Sequence, residues 1–213
     1  MKVKVTPSKV HGNVKIPASK SMAHRALICA SLSNGTSLVS NVTNTKDIEA
    51  TVGCMKALGA IIKQIDQTTY EVTGTNLFKQ EGNITCNANE SGSTLRFLIP
   101  LAACTNAKVK FLGQGRLLQR PMDVYANEFK KQNIEFNQSD KEIIVSGNLQ
   151  AKDYVVQGDI SSQFITGFMF VLPLLDQDST LTITEPYESK SYVNLTIQML
   201  AKFGIEILET SSN

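Results

Sequence analysis

The sequence predicts an α/β (α+β) fold built from three related β-α-β-α-β-β units. A cluster of small polar residues opens an apolar, helix-like run three times, with spacings of 72 and 70 residues, at Ser19, Ser91 and Ser161. A helix end followed by a strand pattern also recurs three times, with spacings of 74 and 71 residues, at Gly59, Asn133 and Gly204. A repeat with one consistent period indicates the same supersecondary unit used three times.

The units span about 13–74, 82–147 and 152–213 of a single lobe covering residues 1–213. Strands are predicted from alternation, as at Asn13–Ile16, and helices from apolar residues at 3.6-residue spacing. Units one and two finish with a strand that ends at Gly74 and Gly147. The third unit lacks this strand, because the sequence stops where it is expected to begin. We therefore expect an incomplete third unit and a longer parent protein.

The second helix of each unit has the clearest signals. Thr45 is a predicted cap for the first, and Gly59 supplies its left-handed stop. Pro121 stands where the first turn of the second accepts proline. The apolar stripes of the three helices are Ile48, Val52, Met55 and Leu58, then Met122, Tyr125 and Phe129, then Val193, Ile197 and Leu200. These stripes predict helices that bury one face.

Composition favours a small-molecule partner. The net charge is +2, and no basic run is interleaved with aromatic residues, which argues against nucleic-acid binding. Neither a signal peptide nor an apolar run of membrane-spanning length is visible, so a cytoplasmic location is expected. The four cysteines lack Cys-x-x-Cys spacing and only two histidines are present, so neither a disulfide framework nor a zinc site is expected.

Lys20 lies in the first turn of a helix capped by Ser19. A helix start already carries a partial positive charge, so a cation there is unfavourable unless an anion occupies the site. Arg25 follows, flanked by alanines that keep its guanidinium near the backbone. From there the guanidinium could donate two parallel hydrogen bonds to a carboxylate. The alternative is a solvated pair of cations on a surface helix.

The second and third units repeat this theme at their own helix starts. Gly92 permits close approach of a ligand to exposed backbone amides, with Arg96 nearby, and Arg120 closes a glycine-rich loop. Hydroxyls and an amide open the third-unit helix at Ser161, Ser162 and Gln163, which suits a phosphate. The alternatives are a turn glycine, a structural arginine and a simple capping cluster. Threefold symmetry brings the helix starts toward one end of the domain, which predicts an anion site.

The residues at this point resemble one family, the 5-enolpyruvylshikimate-3-phosphate synthases. Five motifs appear in the family's order along the whole chain: Pro17-Ala-Ser-Lys-Ser with Arg25, Gly92-Ser-Thr-Leu-Arg96, Arg120-Pro121, Ser161-Ser-Gln163, and Ser189-Lys190 with Tyr192. The sequence departs from the usual pattern at Glu90, Phe97 and Ser191. The resemblance implies one of two lobes of an inside-out α/β barrel, with the active site between the lobes and the second lobe absent here.

The resemblance also implies roles for individual residues. Lys20 would contact both substrates and act in catalysis, and Ser21 and Arg25 would bind the shikimate carboxylate. The 3-phosphate would be bound by Ser161, Ser162 and Ser189. Gln163 and Tyr192 would pack on or bond to the ring. Gly92 and Arg120 would lie on the phosphoenolpyruvate side.

The implied reaction is enolpyruvyl (carboxyvinyl) transfer from phosphoenolpyruvate to the 5-hydroxyl of shikimate 3-phosphate, with loss of phosphate. No metal or organic cofactor is required, and a monomer is expected. General acid and base carboxylates are expected in the missing lobe, so this chain alone would bind shikimate 3-phosphate without turnover. Two other readings remain: a non-catalytic anion-binding module, and a UDP-N-acetylglucosamine enolpyruvyl transferase.

Overall fold

The computed structural model describes residues 2–210. Residues 2–19 have no regular secondary structure and are almost entirely exposed. The strand predicted at Asn13–Ile16 is therefore wrong for this chain. Val14 and Ile16 are each 85% exposed, so the alternating side chains have no sheet or core to pack against.

The first unit contributes two helices and one antiparallel sheet. Its elements are α1 (Lys20–Leu32), β1 (Thr36–Val39), α2 (Lys46–Ala57), β2 (Ile61–Gln64) and β3 (Tyr70–Thr73). The strand order is β1-β3-β2, with both pairs antiparallel. The predicted final strand that ends at Gly74 is confirmed.

The second unit has the full predicted element order. Its elements are β4 (Glu81–Asn87), α3 (Gly92–Ala102), β5 (Asn106–Leu112), α4 (Asp123–Lys131), β6 (Glu135–Gln138) and β7 (Ile143–Ser146). The strand order is β4-β5-β7-β6, and only the β4–β5 pair is parallel. Helix α4 begins two residues after Pro121, with Met122 as its N-cap residue, so Pro121 precedes the helix and its predicted place in the first turn is wrong.

The third unit contains β8 (Asp153–Gln157), α5 (Ser162–Val171), β9 (Thr180–Thr184) and α6 (Lys190–Lys202), with β8 and β9 parallel. The strand predicted after Gly204 is absent from the described residues. In the other units this strand pairs with the one that follows it, as β2 does with β3. Residues 205–210 have no such partner within the described chain. The strand that would provide this partner would begin near Glu209 and continue into residues that lie outside the described range.

The predicted helix starts are confirmed by their caps. The side chains of Ser19, Thr45, Ser91 and Ser161 each accept a hydrogen bond from a backbone N–H in the first turn. In the predicted stripes Ile48, Met55 and Leu58 are fully buried, as are Tyr125 and Phe129. Each cap satisfies a donor that the helix itself cannot.

Helices α3 and α5 pack together at the centre of the core, where almost all of their residues are buried. Pro100 lies inside α3 and cannot donate the hydrogen bond that the carbonyl of Arg96 would normally accept. The hydroxyl of Tyr125, from α4, donates to that carbonyl instead, at 2.6 Å. Gly167 of α5 leaves the room for this hydroxyl, since a Cβ there would overlap it.

The predicted α/β class is thus confirmed. Among residues 2–210, helices that combine the length and the apolar character needed to cross a bilayer do not occur.

Candidate active site

The starts of α1 and α2 meet at an ion pair. Lys20 Nζ lies 2.6 Å from the Oδ2 atom of Asp47, and the Lys20 side chain is 53% exposed. Asp47 occupies the first turn of α2, where the helix dipole favours a carboxylate. The unfavourable cation at the start of α1 is therefore partly neutralised within the protein, and its ammonium group is still accessible to a ligand.

The starts of α3 and α5 meet through Gln163. Its Nε2 atom donates to Ser93 Oγ at 3.0 Å, and its Oε1 atom accepts from Nη1 of Arg96 at 3.0 Å. The Arg96 guanidinium also lies over the ring of Phe164, 4.7 Å from its centroid. These contacts bring the predicted second-unit and third-unit motifs side by side.

Gly92 and Arg120, both predicted from sequence, are neighbours. A Cβ atom at position 92 would lie 2.6 Å from Nη1 of Arg120 and 3.9 Å from Oε1 of Gln163. Any larger residue would displace the exposed arginine of the loop. The absence of a side chain at Gly92 therefore accommodates the guanidinium beside the first backbone amides of α3.

Arg25 is buried instead of solvated, which removes the alternative of a surface cation. Its Nε donates to Thr196 Oγ1 at 2.8 Å, Nη1 to the carbonyl of Ser21 at 2.9 Å, and Nη2 to the carbonyl of Tyr192 at 3.0 Å and to Thr166 Oγ1 at 3.4 Å. Burial lowers the pKa of Arg25 to about 10. Four of the five N–H donors of Arg25 are used within the protein. One remains for a ligand, so the predicted two-bond contact with a carboxylate is not available.

The remaining predicted residues lie at the starts of α5 and α6. Ser161 caps α5, and Ser162 is buried. Ser189 is exposed and takes a left-handed backbone, with φ +56°, just before α6. Tyr192 is 49% exposed, and its carbonyl binds Arg25. Through Arg25 the start of α6 joins the start of α1, so five helix starts converge on one side of the domain.

A family model described as EPSP synthase (3-phosphoshikimate 1-carboxyvinyltransferase) matches residues 5–213. This chain belongs to the EPSP synthase family. The resemblance seen in its motifs is confirmed.

The 3-phosphoshikimate 1-carboxyvinyltransferase of Clostridium kluyveri is 48% identical over 205 residues, which are 95% of this chain and 48% of the relative. That of Clostridioides difficile is 44% identical over 222 residues, covering 98% of this chain and 50% of the relative. The chain therefore spans about half the length of the curated relatives it matches.

Solved structures show the same fold. The EPSP synthase of Acinetobacter baumannii superposes with a TM-score of 0.77 at 19% identity, covering 93% of this chain and 45% of that one. The enolpyruvyl transferase NikO from Streptomyces tendae gives a TM-score of 0.57 at 12% identity, covering 88% of this chain and 43% of that one. The predicted architecture, one lobe of the enolpyruvyl transferase fold, is confirmed.

Two polar residues of this lobe, Asp47 and Arg96, had no assigned role in the predicted site. Asp47 is the partner of Lys20, and its position two residues after the capping Thr45 was the available signal. For Arg96 the sequence allows either a ligand contact or a structural role. Burial lowers its pKa, and its Nε atom is buried without a partner in the described chain. Arg96 therefore also belongs beside the site.

The charged side chains assembled in the candidate site are mostly positive. Lys20, Arg25, Arg96 and Arg120 contribute four cations, against the carboxylate of Asp47 and the exposed Glu90 beside Gly115. Free first-turn amides add to the positive potential. Within residues 2–210 there is no group of three or more His, Cys, Asp or Glu placed to hold a metal ion. The arrangement can bind a multiply charged anion.

The free energy of unfolding is expected to depend on pH because of His24, which lies one helical turn beyond Lys20. Burial lowers its pKa from 6.5 to about 4, with a smaller opposing effect from Asp47. As the pH falls below 6.5 the unfolded chain takes up this proton before the folded one, so stability falls until about pH 4 and is constant above 6.5. We expect His24 to account for a loss of about 3 kcal/mol over that interval.

Urea unfolding at several pH values would measure this loss. The matched variant is His24→Asn, which keeps a polar side chain but does not titrate. The difference between the two proteins cancels the contributions of carboxylates. An equal pH dependence in both would contradict the assignment to His24.

Proposed function

We propose that this chain is the substrate-binding half of an enzyme that transfers the enolpyruvyl group from phosphoenolpyruvate to the 5-hydroxyl of shikimate 3-phosphate, releasing phosphate. The observation that carries the proposal is the convergence of helix starts bearing four cations in a member of the EPSP synthase family. Its half-length match to relatives named 3-phosphoshikimate 1-carboxyvinyltransferase supports a division of the work between two lobes.

Shikimate 3-phosphate carries a carboxylate and a phosphate, and the site offers a partner for each. We assign the carboxylate to Ser21 and the remaining N–H of Arg25, which are held together by the bond from Nη1 to the Ser21 carbonyl. The phosphate is assigned to Ser161, Ser162 and Ser189. Helix N-termini and hydroxyls are suited to a phosphate. Gln163 and the half-exposed Tyr192 are assigned to the ring between these groups.

Phosphoenolpyruvate is assigned to the Gly92–Arg120 pair. The guanidinium of Arg120 beside the free amides of α3 favours a phosphate or carboxylate. Lys20 is assigned to both substrates, since its half-exposed side chain leaves the ammonium group accessible at the start of α1. A cation there would offset charge that develops as phosphate leaves the tetrahedral intermediate.

Proton transfer at the enol carbon and the attacking hydroxyl requires an acid and a base. Asp47 is ion-paired to Lys20. We therefore propose that these groups come from a second lobe, and that the 213-residue chain alone binds shikimate 3-phosphate without turnover. Four free, buried thiols suit the reducing cytoplasm as the place of action, and we propose that the protein acts there as a monomer.

A titration of the labelled chain with shikimate 3-phosphate, followed by NMR, tests the site. We expect amide shifts at Ser21, Ser162 and Gln163, and about 10- to 150-fold weaker binding by Lys20→Met, because a charged hydrogen bond contributes about 1.5–3 kcal/mol. Lys108→Met is the matched control, since Lys108 is also about half exposed and pairs with Glu135 at 3.0 Å.

Two results would contradict the proposal. The first is equal weakening by both lysine variants, or shifts confined to the far side of the domain. The second is phosphate release from phosphoenolpyruvate and shikimate 3-phosphate by this chain with no second lobe added.

A further inference from the structure

A line of buried polar side chains runs beneath the converging helix starts. His24 Nδ1 of α1 lies 2.7 Å from Thr51 Oγ1 of α2, which lies 2.7 Å from Thr94 Oγ1 of α3. The single hydroxyl proton of Thr94 in turn has two acceptors in reach, Ser91 Oγ at 2.7 Å and, more distant, the carbonyl of Asp47 at 3.3 Å. All four of these side chains are at most 1% exposed. We call these four residues the His24 chain.

The hydrogen bonds of the His24 chain have one consistent proton order. Thr94 is the donor in its bond to Ser91 Oγ, and the nearby Asp47 carbonyl can only accept, so the one proton of the Thr94 hydroxyl is used at this end of the chain. Thr94 Oγ1 then accepts the proton of Thr51, and Thr51 Oγ1 accepts from His24. His24 must therefore carry its proton on Nδ1. Its Nε2 atom, which is buried and has no partner in the described chain, is left without a hydrogen and need not donate.

The Thr94 end of the His24 chain contacts both flanks of the site. Ser91 caps α3, accepting from the backbone N–H of Thr94, and is followed by Gly92, which lies against Arg120. The carbonyl of Asp47 belongs to the residue whose carboxylate binds Lys20. The chain thus closes a loop from α1 through α2 and α3 and back to Lys20.

We propose that His24 is a positioning residue: its Nδ1–H orders the hydroxyls of Thr51 and Thr94 and so fixes the distance between Lys20 and the Gly92–Arg120 pair. If His24 only filled space in the core, the loss of its hydrogen bond to Thr51 would not change the positions of Lys20 and the Gly92–Arg120 pair. Only the predicted effect on ligand binding rests on the proposed function. The tautomer and the coupling of the helix starts do not.

The first test is the imidazole itself. Nitrogen-15 spectra of histidine-labelled chain at neutral pH are expected to show His24 as the neutral Nδ1–H tautomer, and Thr51→Val is expected to remove that preference. An Nε2–H tautomer in the wild-type chain would overturn the proposal, because the proton order of the whole line would then be reversed.

The second test compares buried threonines. Thr51→Val is expected to shift the amide signals of both Lys20 and Gly92, and to weaken binding of shikimate 3-phosphate by roughly three- to tenfold, the equivalent of one neutral hydrogen bond. The control is Thr105→Val, a threonine that is 3% exposed and bonds to backbone just beyond the opposite end of α3. It is expected to leave both signals in place.

Rescue separates hydrogen bonding from packing. His24→Asn places an amide N–H near the position of Nδ1 and is expected to keep the wild-type signals at Lys20 and Gly92, whereas His24→Leu is expected to lose them. Equal behaviour of the two variants overturns the positioning role. If the wild-type chain does not respond to shikimate 3-phosphate at all, the proposed function fails, and the tautomer and amide signals still decide the inference.

Discussion

Replacing Gly167 with alanine is expected to lower the free energy of unfolding by about 3 kcal/mol or more, the upper range for overpacking a core. The new Cβ would overlap the hydroxyl of Tyr125 and lie 2.7 Å from the carbonyl of Arg96. Tyr125 is wholly buried between aromatic rings and cannot swing away. Its bond to the Arg96 carbonyl would be lost as well, in a helix where Pro100 offers no replacement.

Thermal unfolding measures this effect, and for a chain of this length the midpoint is expected to fall by roughly 10 °C. Gly53→Ala is the matched control. Gly53 lies on the exposed face of α2, and a Cβ atom at this position would have no other heavy atom within 4 Å. Alanine is the better helix former, so this variant is expected to gain about 0.5–1 kcal/mol. Stabilisation by both substitutions would show that the α3–α5 contact is looser than the distances indicate.

Replacing Arg25 with methionine is expected to weaken binding of shikimate 3-phosphate by about 10- to 150-fold and to lower the free energy of unfolding by about 3 kcal/mol. The guanidinium is 3% exposed, and no carboxylate of the described residues lies within ion-pair distance. A pKa lowered from 12.5 to about 10 corresponds to a cost of about 3 kcal/mol for keeping the cation buried. Relief of this cost offsets about half of the four lost hydrogen bonds, which contribute about 6 kcal/mol at about 1.5 kcal/mol each.

Calorimetric titration and urea unfolding of the same preparation separate the two effects. Arg116→Met is the control, since Arg116 is an exposed arginine of the Gly113–Arg120 loop, and its loss tests for a general effect of positive charge. We expect its affinity to change by less than about twofold. A large loss of stability in Arg25→Met with unchanged affinity would reassign Arg25 to a purely structural role.

Local signals in the sequence predicted the elements that depend on local chemistry. The caps at Ser19, Thr45 and Ser161 and the stop at Gly59 satisfy or release backbone groups within one turn, so short patterns were sufficient. The charge argument for Lys20 is also local, because a helix dipole acts over the first turn, and the structure provides the carboxylate of Asp47 as a counter-charge there.

Features that depend on distant partners were missed or wrong. The Asn13–Ile16 pattern alternates, but a strand needs a neighbouring strand, and none of the described residues pairs with it. The burial of Arg25 comes from Thr166 and Thr196, more than a hundred residues away. Asp47 and Thr51 reach their partners only after α1 and α2 pack together. Residue type alone did not predict these contacts.

The hydrogen bond from the Tyr125 hydroxyl to the Arg96 carbonyl of α3 affects how the domain assembles. The backbone of α3 cannot satisfy all its own acceptors until α4 has docked, although the two helices are separated by β5 and a loop. When α4 detaches from the domain, the Arg96 carbonyl therefore loses its hydrogen bond at the centre of the core. We expect amide hydrogens of both helices to exchange with solvent as one cooperative unit.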